Sequence, residues 1–153
     1  MVEQLPYLQR AKIQAEILLP LFRRLKVEIG EERAGELLRA AVDEFATDLG
    51  REIAANGEGT PLKKLRTAFR MFMAQEALEL EPIADTDTEL SVNIRRCKYA
   101  EYFQGLGEAE FGAMLVCAID PPMTAAVGPD LSLERSQTIM AGASHCDFCF
   151  KQG

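Results

Sequence analysis

The chain has 153 residues, 48% of them hydrophobic and 27% charged, with a formal net charge of −7 and four cysteines. That apolar content excludes a disordered chain, and a domain of this size buries about two-thirds of its unfolded surface without needing disulfide staples. An isoelectric point near 4.8 argues against nucleic acid, which requires a basic face.

The N-terminus, Met1-Val2-Glu3-Gln4-Leu5-Pro6, has neither the basic start nor the apolar core of a secretory signal, and nowhere do about eighteen apolar residues run together. The expectation is a cytoplasmic protein with no membrane partner. In that reducing setting the cysteines are thiols or ligands, not bridges.

From Leu5 to Ile29, Leu8, Ile13, Ile17, Leu18, Leu21, Phe22 and Leu25 recur at helical spacing. Pro20 lies inside this helix and predicts a kink or a division in two. A second helix spans Glu31 to Asn56 on Leu38, Val42, Phe45, Leu49 and Ile53, set off by Gly30 before it and Gly57 to Gly59 after it. Thr60-Pro61 reads as an N-cap followed by proline at the first helical position. The third helix runs to about Ala77, with Leu62, Leu65, Phe69, Phe72 and Met73 as its buried stripe. Lys63, Lys64, Arg66 and Arg70 form its solvated side.

Near Leu78 the period changes to two. Leu78 and Leu80 alternate with glutamates, and after the turn at Asp85-Thr86-Asp87 the residues Leu90, Val92 and Ile94 alternate with Ser91, Asn93 and Arg95. These are two half-buried strands, with Cys97 at the junction to a short helix carrying Tyr99, Tyr102, Phe103 and Leu106. A second short helix covers Glu108 to Ile119 and is expected to end at Asp120-Pro121-Pro122. A loop then leads to a strand over Leu131 to Ile139, and Gly142 permits a turn into the tail, closing a hairpin.

The reading is one α+β domain over 1–153. A helical half, 1–77, packs on a sheet half, 78–153, of about four antiparallel strands with two short helices between the strand pairs.

The tail Ser144-His145-Cys146-Asp147-Phe148-Cys149-Phe150 holds the only histidine. A tight turn there would let His145, Cys146 and Cys149 approach one zinc ion. A strand instead puts Cys146, Phe148 and Phe150 on one face and His145, Asp147 and Cys149 on the other. The phenylalanines must be buried, so the strand is preferred and no cofactor is expected; zinc would require the strand to break at Asp147. Cys97, Cys117 and Cys146 all fall where helices meet strands and could share a pocket, acting through a thiolate. Asp120, three residues after Cys117, is the best carboxylate for general base catalysis or for orienting a substrate amine. Arg95, Arg96 and Arg135 could hold a small anion through their planar donors.

Arg96-Cys97-Lys98-Tyr99-Ala100, Leu115-Val116-Cys117-Ala118-Ile119-Asp120, Leu133-Glu134-Arg135-Ser136-Gln137-Thr138, Gly142 and Cys146-Asp147-Phe148 together resemble the L-2-amino-thiazoline-4-carboxylate hydrolase family. The likeness is good over about the last sixty residues and only general before them. It implies hydrolytic opening of a cyclic amidine to a carbamoyl-cysteine, a small-molecule substrate, and functional weight on Cys97, Cys117, Asp120, Arg135, Thr138, Gly142, Cys146 and Asp147. His145 and Cys149 are not marked by it. A more distant similarity to vinyl-reductase-type ligand-binding domains implies an alternative, a sensor module whose cysteines are structural or hold zinc. An exposed apolar helix face makes a homodimer a further expectation.

Overall fold

The computed structural model describes residues 5–153. Helix α1 (Tyr7–Ile29), α2 (Glu31–Asn56) and α3 (Pro61–Met73) precede strands β1 (Leu78–Asp85) and β2 (Glu89–Cys97). Then come α4 (Lys98–Gly105), α5 (Ala109–Leu115), α6 (Asp120–Val127), β3 (Leu131–Glu134) and β4 (Cys146–Gln152). The four strands form one antiparallel sheet in the order β1-β2-β4-β3. The α+β architecture expected from the change of period is the architecture present.

Pro20 does not divide α1, which runs unbroken for 23 residues. The residue is exposed, so the missing backbone donor frees a carbonyl toward solvent, where water can satisfy it. Thr60 caps α3 as expected, its hydroxyl accepting from the Lys63 N–H at 3.3 Å. The helix stops four residues before Ala77, however. Gln75 and Glu76 take φ of 60° and 56°, a left-handed pair that turns the chain sharply into β1 at a cost of order 1–3 kcal/mol each.

The segment after α5 also departs from expectation. Residues 117–119 form one 3-10 turn, and Asp120-Pro121-Pro122 opens α6 where a helix end and a loop were expected. Proline's fixed φ suits the first turn of a helix, whose amide hydrogens have no intrahelical acceptor. The two prolines therefore start a helix, while α5 has already ended at Leu115. The stretch Ala109–Val127 averages a hydropathy of 1.2. It is divided into short pieces, and an eight-residue helix is only about 12 Å long against a bilayer core of about 30 Å.

Strand β3 is shorter than the periodicity suggested, and residues 135–145 form the connecting loop of the β3–β4 hairpin. Gly142 sits there at φ of 102°, a left-handed value that suits glycine. Its N–H bonds the Ile139 carbonyl at 2.9 Å.

Helix α3 lies against the inner face of the sheet. Ile94 pairs with Cys146, Val92 with Phe148 and Leu90 with Phe150, and all six side chains point inward and are buried. Phe69 of α3 meets both Phe148 and Phe150 edge-on, with ring centroids 6.2 Å apart in each case. One hydrophobic core, from Tyr7 and Leu8 to Phe148 and Phe150, joins the helical and sheet halves.

Candidate functional site

Where α3, the ends of β1 and β2, the 3-10 turn and β4 converge, the core is incompletely filled. A cavity with about 60 Å³ open to the centre of a water-sized sphere remains. That is several times the room one water needs, so the site admits a small molecule only with modest adjustment of its walls. The walls are mostly apolar: Phe69 and Phe72 from α3, Leu78 from β1, Ile94 from β2, Tyr99 from α4, Val116, and Phe148 from β4. Their polar complement is Cys97, Cys117, Cys146, Asp120, Arg135 and Thr138.

Asp120 and Arg135 form its charged centre. Arg135 Nη1 donates to Asp120 Oδ2 at 2.7 Å, and Nη1 and Nη2 both donate to the Cys117 carbonyl at 3.3 Å. The guanidinium also lies 5.2 Å over the Phe148 ring, a cation–π contact that fixes its plane. The two side chains are only 16% and 17% exposed. Burial pushes the Asp120 carboxyl up from 3.8 to about 6, and the Arg135 charge and hydrogen bond pull it part of the way back. The group is therefore mostly ionised at neutral pH but close enough to its pKa to exchange a proton.

The thiols behave differently. Cys97 caps α4, its sulfur accepting from the Ala100 N–H at 3.4 Å, yet burial outweighs that bond and raises it to about 11. Cys117 is pushed up to about 12, by burial first and by the Asp120 charge second. Cys146 is raised by burial as well, although the Ile139 N–H donates to its sulfur at 3.2 Å. All four cysteines are free. Cys97, Cys117 and Cys146 are thus neutral thiols near neutral pH.

Thr138 lines the cavity and its hydroxyl accepts from the Ala141 N–H at 3.2 Å, which closes the turn just before Gly142. Asp147 is on the opposite face of β4 and does not line the cavity. Its Oδ1 accepts from the Ser136 and Gln137 N–H groups, each at 2.9 Å, and its Oδ2 accepts from the Ser136 hydroxyl. It holds the backbone immediately after Arg135.

Strand geometry separates the CxxC pair. Cys149 faces outward, 3.2 Å from Ser91 Oγ and 3.7 Å from Glu89 Oε1, while Cys146 faces the cavity. His145 precedes the strand, with Nδ1 2.9 Å from Ser144 Oγ and its carbonyl accepting from Gln137 Nε2 at 2.9 Å. Among the described residues no three His, Cys, Asp or Glu side chains are grouped closely enough to hold a metal ion. Arg95 and Arg96 are exposed and engaged with Glu81 at 2.5 Å and Glu101 at 2.6 Å, away from the cavity. The aromatic walls Phe69, Phe72, Tyr99 and Phe148 had no functional signal in the sequence. Each sits at a position that core packing alone explains.

No protein with a curated description matches the sequence. Among solved structures the chain is similar to the phenol-responsive sensory domain of the transcription activator PoxR, crystallised with phenol, at 15% identity and a TM-score of 0.53. The likeness covers 88% of this chain and 72% of that one, and it shows a shared fold. A trafficking protein particle complex subunit 3 from Naegleria fowleri, covalently bound to palmitic acid, aligns at 12% identity and a TM-score of 0.47 over 93% of this chain and 96% of that one. The model of the L-2-amino-thiazoline-4-carboxylic acid hydrolase family matches residues 10–150, and with nearly the whole sequence so matched, the chain belongs to that family.

Proposed function

We propose that this chain is a small cytoplasmic hydrolase that opens a C–N bond in a cyclic amidine or amide, such as a 2-amino-thiazoline-4-carboxylate. The observation that carries the reading is the Asp120–Arg135 ion pair, 2.7 Å long, lining a mostly apolar cavity. A substrate bearing a carboxylate and an amidinium matches that pair group for group: its carboxylate would meet Arg135 and its amidinium Asp120. Asp120 then takes a proton from water as the oxygen adds to the amidine carbon; the ring C–N bond breaks as Asp120 returns that proton to the ring nitrogen, and the new hydroxyl passes its own proton to the released amine, leaving a carbonyl. Water activated by Asp120 is favoured over a thiolate, because the carboxyl at about 6 is ionised near neutrality whereas Cys97 at about 11 and Cys117 at about 12 are not.

Incubation with 2-amino-thiazoline-4-carboxylate and related cyclic amidines tests this, with the ring-opened product detected by its gain of one water. Turnover reduced by about 10²–10⁴-fold in Asp120→Asn is the expected result. Failure of every ring in such a panel to open overturns it.

The aromatic walls favour a second reading, a sensor module that binds a small planar molecule without turning it over. The fold shared with the PoxR domain agrees with that reading. Calorimetry separates the two: stoichiometric binding of a planar ligand that is recovered unchanged would establish the sensor.

A further inference from the structure

Helix α1 is apolar on two opposite faces. Its inner face, with Leu8, Ala11, Ala15, Leu19 and Phe22, is buried in the core. On the other side Ile13, Ile17, Leu21 and Val27 are 54%, 69%, 50% and 78% exposed. A surface helix normally carries one apolar stripe. The second stripe here has nothing of the chain's own to cover it, and α2 and α3 show no comparable surplus among their exposed residues.

The charges beside the stripe specify what covers it. About Pro20 they are antisymmetric: Glu16 lies four residues before it and Arg24 four after, Lys12 eight before and Glu28 eight after. Apolar Ile13 and Val27 are likewise equidistant from it. Glu16, Arg24 and Glu28 are exposed and take part in none of the ion pairs among the described residues, whereas the neighbouring Arg23 is engaged with Glu108 at 2.6 Å. A second α1 laid antiparallel across the first, with the two-fold axis at Pro20, would place Glu16 against Arg24 twice; Lys12 is turned toward Tyr102, its Nζ 5.3 Å from that ring, and is not part of the match. A parallel arrangement would set like charges together, so it is disfavoured. Pro20 adds a local reason for this centre: its missing N–H leaves the Glu16 carbonyl without a helical donor, an acceptor within the same surface.

We propose that the outer face of α1 is the interface of a two-fold homodimer in which two α1 helices cross antiparallel at Pro20.

Sedimentation of the full chain over a concentration series is the test. A dimer is expected, and Ile17→Glu should weaken it about tenfold or more, as loss of a central apolar contact does. Because Ile17 is outside the core, circular dichroism of that variant should match the parent. Glu16→Arg and Arg24→Glu should each weaken association, and the double variant E16R/R24E should restore it. A chain that stays monomeric at every concentration overturns the proposal, as does a dimer indifferent to Ile17→Glu. Failure of the charge swap to restore association overturns the antiparallel arrangement. Monomeric protein that instead binds phospholipid vesicles through the same residues assigns the stripe to a membrane surface and also overturns it.

Discussion

Arg135 reaches Asp120 with a 2.7 Å hydrogen bond across a gap of fifteen residues, joining the loop after β3 to the first residue of α6. One end of that bond is set by two prolines that start a helix, and the other by a carboxylate on the far side of the sheet. The site's geometry and its pH behaviour both follow from this pair.

If Asp120 is the base, activity should rise with pH through about 6 and level off above it, since the ionised form is the active one. Asp120→Asn should reduce turnover by about 10²–10⁴-fold. The pH–rate profile of the parent and single-point assays of the variant check this.

The same carboxyl makes stability depend on pH in the opposite sense. Its folded-state pKa of about 6 exceeds the ordinary 3.8, so its contribution is fully present below about pH 4 and is lost as pH rises through 6. With 1.36 kcal/mol per unit, the loss is of order 2–3 kcal/mol. Urea denaturation between pH 4 and 7 should show this slope in the parent and not in Asp120→Asn.

The cavity thiols should react slowly with alkylating reagents in the native protein. At pH 7.5 a thiol with a pKa of about 11, as for Cys97, is ionised in roughly one molecule in several thousand. Mass mapping after brief exposure to iodoacetamide should find Cys97, Cys117 and Cys146 largely unlabelled, while denatured protein labels fully. Rapid labelling of any one of them would identify a thiolate and return the nucleophile to that cysteine.

Asp147→Ala should loosen the Arg135 loop without touching the cavity wall, since it removes the acceptor of the Ser136 and Gln137 amides. A destabilisation of about 1–2 kcal/mol is expected, together with weaker binding of anionic ligands. Its carboxyl is held below the ordinary value by the Ser136 hydroxyl first and by those amides, so its contribution is present near neutrality and falls away in acid. Thermal melts and ligand titration check both effects.

Helix α2 approaches α6 so closely that a Cβ at Gly50 would lie 2.4 Å from the Met123 carbonyl oxygen and 2.6 Å from the Ala126 methyl. Gly50→Ala gains about 1 kcal/mol of helix propensity but forces the helices apart at about 1–3 kcal/mol. A net loss in melting temperature is expected, and because α6 begins with Asp120, activity should fall with it.

Much of the fold was legible along the chain. The 3.6-residue period of Leu38, Val42, Phe45, Leu49 and Ile53 determined a helix wherever it was packed, and the alternation of Leu90, Val92 and Ile94 determined a half-buried strand. The tail was legible for the same reason, because Cys146, Phe148 and Phe150 can share a buried face only as a strand. Asp120-Pro121-Pro122 carries no such single answer. Proline is compatible with both a helix end before it and a helix start at it, and the packing of α6 on α2 selected the second.

Single residue types also pointed at the site: a carboxylate, an arginine and three cysteines near element ends were visible as candidates. Their convergence was not, because contact between positions 97, 117, 120, 135 and 146 depends on the strand order β1-β2-β4-β3 and on α3 lying across it. Protonation was equally out of reach. A cysteine or aspartate has its ordinary pKa until the fold removes water from around it. Only the tertiary structure decided that Cys97 and Cys117 are neutral thiols while Asp120 is near its titration point, because desolvation belongs to the packed cavity and not to the sequence neighbourhood.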